Sequence, residues 1–220
     1  MKIAIMQPYY FPYIGYYQLI NSVDTFYIYD DVAFIKRGWI NKNKIIVNNT
    51  EHSFTIPLKN ASQNRNINEH FVSDEFEKWK DSFYKTLYVS YRKSPYYSEI
   101  MKIIEASLNN SNIVDITEAS LRLVSEYLEL NTMFERSSNI TGITSTKSQR
   151  LIDICNSVGA DTYINSIGGQ VLYNKQQFKE KNIDLYFLHC NEPCGYISMI
   201  DLLMKNGKQT KELLNNYELI

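Results

Sequence analysis

Three groups of residues near the N-terminus have the types and spacing to do chemistry together. They are Gln7-Pro8-Tyr9-Tyr10-Phe11-Pro12-Tyr13-Ile14-Gly15-Tyr16, then Asp30-Asp31, then Lys36-Arg37-Gly38-Trp39-Ile40-Asn41-Lys42-Asn43. Asp30 and Asp31 are candidate catalytic carboxylates, able to serve as a general base or to hold a substrate ammonium, sugar hydroxyls or a metal. Gln7 is the third candidate catalytic group. Tyr9, Tyr10, Tyr13 and Tyr16 are candidate binding residues, because a tyrosine ring has an apolar body and a polar tip that suit stacking on a sugar or base. Gly15 opens a helix whose free N–H groups favour a phosphate or carboxylate. Lys36, Arg37, Trp39, Asn41 and Asn43 combine cations, an aromatic plate and carboxamides, a mixture that suits a nucleotide or pyrophosphate-bearing ligand. The plainer alternatives are prolines that only shape a turn, aspartates that start a solvated loop, and a basic surface patch.

Later in the chain, Thr144-Ser145-Thr146-Lys147-Ser148-Gln149-Arg150 reads as a helix start in which hydroxyls cap free N–H groups. Lys147 and Arg150 fall on one face as a candidate second phosphate clamp, with an ordinary capped helix as the alternative. Gly168-Gly169 after a strand allows close backbone approach to a ligand. His52 and His70 lie in polar segments and His189 ends an apolar strand, and none has a Ser or Cys partner that would make a nucleophilic triad.

These residues need a scaffold, and the hydrophobic pattern supplies one. Lys2 to Met6 reads as a buried strand, Ile14 to Ser22 as a short helix, and Thr25 to Tyr29 as a second strand. Strand, helix, strand at this spacing implies a parallel, right-handed βαβ unit. Gln7-Pro8 and Asp30-Asp31 then fall at the carboxyl ends of neighbouring strands, where open α/β sheets bind ligands. Asn43 to Asn49 and Glu51 to Leu58 read as a hairpin. Three helices follow, from Ser73, from about Tyr97 to Leu108, and from a cap at Asp115 or Thr117. The pattern then returns to α/β, with strands at Met133 to Arg136, Thr162 to Asn165 and Leu185 to His189, a helix at Ser148 to Val158, and helical segments over Leu202 to Tyr217. The expected class is α/β, a Rossmann-like parallel sheet with a nucleotidyltransferase-like start. The expected organisation is a single domain over 1–220 with a helical insertion or subdomain at about 73–131.

At 220 residues the chain can bury a substantial core, and a net charge of −1 supplies no global field toward nucleic acid or anionic lipid. No stretch approaches the roughly 18 apolar residues of a membrane span, and the start lacks a signal peptide's apolar region. Three cysteines, Cys155, Cys190 and Cys194, fit neither a disulfide framework nor paired zinc motifs, so reduced thiols in the cytoplasm are the expectation. Cys190, Cys194 and His189 would make a metal site only with a fourth ligand that the sequence does not offer, so no metal is assigned. Eighteen tyrosines fit a wet cleft, although an AT-rich genome enriches Tyr, Asn, Ile and Lys together.

Taken together, MQPYYFPYIGYYQLI, YDDVAFIKRGWINKNKI, RLIDICNSVGADTYINSIGG and the final NNYELI resemble the WbqC-like family of bacterial surface-polysaccharide and O-antigen gene clusters. The likeness spans nearly the whole chain. It implies a sugar-modifying acyltransferase that attaches a small amino acid such as glycine to a sugar. It also implies a departure: family members carry a longer loop before the segment corresponding to Ser198-Met199-Ile200-Asp201-Leu202-Leu203, where Asn191 to Tyr196 is short. The start looks, more remotely, like nucleotidyltransferase-like folds including pantothenate synthetase, which have HxGH where this chain has Tyr13-Ile14-Gly15-Tyr16. Tyrosine can donate a hydrogen bond there but cannot supply the cation.

The expectation is therefore an enzyme that forms an amide, or as the lesser alternative an ester, between a small amino acid such as glycine and a nucleotide-linked (amino) sugar, with Asp30 or Asp31 on the amine and Lys36, Arg37, Lys147 and Arg150 on phosphates. The acyl donor is left open between ATP plus a free amino acid, a charged tRNA and a thioester carrier, with near-neutral charge weighing against nucleic acid. The alternatives are a non-catalytic nucleotide-sugar or glycan-binding accessory protein and a nucleotidyltransferase-like enzyme.

Overall fold

The computed structural model describes residues 1–191 and 195–220. Its centre is a six-stranded sheet formed by β1 (Lys2–Met6), β2 (Thr25–Ile28), β5 (Met133–Arg136), β6 (Thr162–Ser166), β7 (Asp184–Cys190) and β8 (Tyr217–Leu219). A separate antiparallel hairpin is made by β3 (Lys42–Val47) and β4 (Thr50–Thr55). The helices are α1 (Ile14–Asn21), α2 (Phe76–Tyr91), α3 (Tyr97–Ser107), α4 (Ile113–Tyr127), α5 (Lys147–Ser157), α6 (Lys175–Lys179) and α7 (Met199–Asn206).

Across the sheet the order is β5-β2-β1-β6-β7-β8, and every pairing is parallel except that of β7 with β8. Counted in chain order within the sheet this is 3-2-1-4-5-6, the doubly wound Rossmann order. The chain runs outward from β1 through β2 to β5, then crosses back to begin the other half at β6. The switch point therefore lies between the carboxyl ends of β1 and β6.

Period-2 alternation explains why helices cover both faces. Ile3 and Ile5 of β1 pack with Tyr27, Tyr163, Leu185 and Phe187 against Leu151, Ile154 and Cys155 of α5 and Phe178 of α6. Ala4, on the opposite face, joins Phe26, Ile28, Ile164 and Leu188 under Tyr16, Tyr17, Leu19 and Ile20 of α1. That second cluster continues without a break into the middle helices through Leu87, Ile100, Ile104, Ile116 and Val124. The segment 73–131 is thus joined to the sheet by a shared core.

Three local expectations differ from the structure. The cap of α4 is Asn112, whose side chain accepts from the Val114 N–H at 2.8 Å, rather than Asp115 or Thr117. No hydroxyl caps α5: its N-cap residue Thr146 makes no side-chain cap bond, and Ser145 Oγ donates to Asp153 at 2.5 Å. The last segment ends in β8, three residues that the helical pattern of 202–217 did not announce, held at the sheet edge by pairing with β7. Cys155 is free and buried, and burial pushes its thiol up to about 12, so it is inert at neutral pH. Among the described residues no helix is long and apolar enough to cross a membrane, and no three His, Cys, Asp or Glu side chains are grouped to hold a metal. Cys194, with residues 192 and 193 of the short loop before Ser198, lies outside the described residues.

Candidate functional site: an uncharged aromatic cleft at the switch point

A cavity of about 670 Å³ opens at the carboxyl ends of β1, β2 and β6. Its floor is Ile5, Met6, Gln7 and Pro8 from the end of β1, and Tyr29 follows β2. Asn165, Ser166, Gly168 and Gly169 follow through the end of β6, while Gly38, Trp39 and Ile40 close the opposite side. Both the position and the size match a small-ligand cleft of an open α/β fold.

Rings make its walls. Tyr9 meets Tyr16 edge-on at 6.2 Å and lies tilted against Trp39 at 6.1 Å. Lys42 Nζ sits 5.6 Å from the Trp39 ring and keeps a cation beside this plate. Burial raises the phenol pKa of Tyr9, Tyr13, Tyr16, Tyr29 and Tyr173, all of which line the cavity. These hydroxyls stay protonated at neutral pH, and the described lining includes no Asp, Glu, Lys, Arg or His. The cleft is uncharged.

The proline loop that carries Tyr9 to Tyr16 is held by more bonds than a turn requires. Phe11 has φ 43°, a left-handed conformation that a bulky residue adopts only when its surroundings impose it. Asn43, fully buried on β3, imposes it by donating to the carbonyls of Tyr10 at 3.1 Å and Phe11 at 2.5 Å. The Asn43 carboxamide oxygen accepts from the Tyr9 hydroxyl at 3.1 Å and the Lys44 N–H at 2.7 Å. Ser198 Oγ donates to the Phe11 carbonyl at 2.8 Å, and the Tyr16 hydroxyl donates to the Gln7 carbonyl at 2.7 Å. The hairpin is therefore the brace of the loop, a link between two motifs that the sequence shows only as neighbours.

Glycine is required at two points. A Cβ on Gly15 would lie 2.6 Å from Tyr13 Cε2, so Gly15 lets the Tyr13 ring close over the start of α1. A Cβ on Gly169 would lie 2.9 Å from Asn165 Nδ2. Asn165, buried, donates to the Tyr163 hydroxyl at 3.0 Å, accepts from the Ser166 N–H at 2.7 Å and hydrogen-bonds Tyr173. It fixes the β6 side of the cleft much as Asn43 fixes the β1 side.

Gln7, Tyr9, Tyr13, Tyr16, Trp39, Gly168 and Gly169 are brought together around the cavity. Tyr10 is buried beneath it, its hydroxyl bonded to Ser107 Oγ at 3.1 Å. Asn41 donates to the Ile56 carbonyl at 2.7 Å and joins the hairpin to the loop before it. Lys36 and Arg37 are exposed on the loop outside the lining.

Asp30 and Asp31 do not line the cleft. Asp30 is buried and saturated: Oδ1 accepts from Ser137 Oγ at 3.2 Å and the Ser138 N–H at 3.1 Å, and Oδ2 accepts from Ser138 Oγ at 2.7 Å and Asn68 Nδ2 at 3.3 Å. Asp31 shares the one Ser137 hydroxyl hydrogen with Asp30, at 2.5 Å from Oγ, and pairs with Arg150. Arg150 also lies 5.7 Å from the Tyr29 ring and donates to the Ile143 carbonyl at 3.3 Å. Lys147 is exposed, so the two cations of the expected phosphate clamp are separated in role. Arg150 lies beside the Tyr29 ring that lines the cavity, and Asp31 pairs with Arg150.

Tyr29, Asn165, Ser166 and Tyr173 are lining residues that the sequence reading did not single out. The placement of Asn165-Ser166 at the end of β6 was available as a signal. What was missing was the knowledge that β6 is the neighbour of β1.

Strand order and cleft define the class: a Rossmann-like α/β protein with its candidate cleft at the switch point. The chain belongs to the WbqC-like protein family, whose model matches residues 7–213. It is 24% identical over 227 residues to an uncharacterized protein of Mycobacterium tuberculosis (strain ATCC 25618 / H37Rv), covering 97% of both chains. No solved structure matches it.

Proposed function

We propose that the chain attaches a small amino acid such as glycine to a nucleotide-linked amino sugar, and that the switch-point cleft holds the sugar or base. The observation that carries this reading is the cavity itself, walled by tyrosines and Trp39 and free of charged lining. A sugar ring offers apolar C–H faces to stack and hydroxyls to bond, and it carries no charge that an uncharged cleft would have to compensate. The phosphates of such a ligand belong at the mouth, on the side of Lys36, Arg37 and Lys42. Gln7 and Ser166 line the cavity and are the polar side chains best placed to stabilise a developing oxyanion.

In the reaction, the sugar amine attacks the activated acyl carbon, the new C–N bond forms, and the leaving group departs with the electron pair of the broken bond and takes up the proton the amine loses. ATP or another activated acyl donor supplies the activation. A second reading, a nucleotide-sugar or glycan-binding accessory protein without turnover, is favoured by one observation: both aspartates are already engaged by protein groups.

Incubation with ATP, glycine and a panel of UDP- and dTDP-amino sugars, followed by mass spectrometry, separates the two. A gain of one glycyl unit on a sugar establishes the first. Unmodified sugars with every donor, together with a nucleotide sugar that raises the melting temperature, establish the second.

A further inference from the structure

Three of the chain's exposed apolar side chains line this cleft, and a fourth, Val171, precedes one of them in the chain. Ile35 is 52% exposed and Trp39 47% exposed on one lip, and Val171 is 90% and Leu172 70% exposed on the other. Ile35, Trp39 and Leu172 all line the same cavity, so the two lips face each other across it. Water-facing aliphatic side chains at this density are costly for a free surface and mark an interaction site. The loop 32–42 carries Lys36, Arg37 and Lys42 and no carboxylate, and Lys175 follows the second lip, whereas Lys179 is already paired with Asp184 at 2.8 Å. Lys36, Arg37 and Lys175 are exposed.

We propose that this rim docks the mouth of the cleft onto an anionic lipid bilayer. Aliphatic and Trp side chains enter the headgroup boundary while the lysines and arginine meet lipid phosphates, the division of labour of an interfacial protein surface. A chain with a net charge of −1 is not drawn to membranes as a whole, so binding depends on this patch and falls with salt. Docking would bring the mouth of the uncharged cleft against the headgroup layer. The rim cations are the ones the reaction proposed above would use for a nucleotide's phosphates, but vesicle binding without any nucleotide sugar reads the surface separately from that reaction.

The test is sedimentation of the full chain with vesicles of phosphatidylcholine alone or of equimolar phosphatidylcholine and phosphatidylglycerol. The expected result is binding to the second at low salt and none to the first. Lys36→Glu with Arg37→Glu lowers the partition coefficient by about tenfold or more, because each cation near an anionic surface contributes a several-fold gain. Val171→Ser with Leu172→Ser also lowers it, whereas Val89→Ser, at an exposed apolar residue of α2, leaves it unchanged. In a Trp79→Phe background Trp39 is the only tryptophan, and its emission shifts to the blue on binding. Absence of binding to the equimolar vesicles overturns the proposal. So does equal binding by the Val171→Ser, Leu172→Ser variant, or a change in oligomeric state by that variant with vesicle binding intact, which would assign the rim to a second copy of the chain.

Discussion

Asn43 is the side chain on which the shape of the cleft depends most, and replacing it with Leu, close in volume and without polar atoms, isolates its hydrogen bonds. Four bonds are lost: to the carbonyls of Tyr10 and Phe11, from the Tyr9 hydroxyl and from the Lys44 N–H. They do not weigh equally. The Phe11 carbonyl keeps Ser198 Oγ, and Tyr9 is half-buried and its hydroxyl can turn to water. The Tyr10 carbonyl loses its side-chain donor in a fully buried neighbourhood, and such an orphan costs about 1–3 kcal/mol. With about 1 kcal/mol more for the remaining bonds, the loss is about 2–4 kcal/mol. For a chain of this size that is a fall in melting temperature of roughly 4–16 °C. Because the same bonds hold Phe11 at φ 43°, the loop relaxes and nucleotide-sugar binding falls with it. Thermal unfolding by circular dichroism, with binding measured by calorimetry well below the transition, gives both quantities. A variant within about 0.5 kcal/mol of the native chain that binds normally refutes the bracing role of β3.

Three further outcomes are expected. Gly169→Ala drives a Cβ to 2.9 Å from Asn165 Nδ2, so Asn165 must move and its bonds to Tyr163 and Tyr173 loosen; ligand affinity falls about tenfold with a stability loss of about 1–2 kcal/mol, checked by calorimetry and thermal melts. At alkaline pH the buried phenols of Tyr16, Tyr17 and Tyr163 have folded-state pKa values well above 10, so the folded chain holds protons that the unfolded chain releases. Stability is then unaffected by them below pH about 10 and falls as pH rises past it. Absorbance at 295 nm and circular dichroism should show phenolate appearing together with unfolding, not before it. Arg136→Met removes the cation that joins Asp115 and Glu118 at 2.6 Å each; Glu118 is buried and keeps Arg122, so the expected loss is about 1–3 kcal/mol in a denaturant titration, and Asp115→Asn should cost less because Asp115 is more exposed.

The N-terminal βαβ unit was legible because its residues are close in sequence: apolar runs at 2–6 and 25–28 flank an eight-residue helix, and the motifs at their ends follow directly. The strand at Thr162 was legible too, but not its pairing with β1 at Lys2 and Ile3, which spans most of the chain and sets the switch point. That non-local pairing is why Asn165, Ser166 and Tyr173 joined the site only in three dimensions. The aspartates show the opposite error. Asp30-Asp31 stand at the right strand end, yet Ser137 and Ser138, after β5, take up the Asp30 carboxylate, and Arg150 takes up Asp31. Distant partners cannot be read from local spacing. Asn43 shows the same limit, since its carboxamide fits a ligand donor by type but is spent on the backbone of Tyr10 and Phe11.

The central claim is that the aromatic cleft between β1 and β6 is where the sugar nucleotide binds. Calorimetric titration of UDP- and dTDP-amino sugars into the native chain and into Trp39→Ala tests it most directly, because Trp39 is half-exposed and its truncation should leave the fold intact. The account predicts binding by at least one of these ligands, weakened roughly five- to hundredfold by the loss of one stacking plate. Failure of every ligand to bind, or equal affinity in the variant, would contradict it.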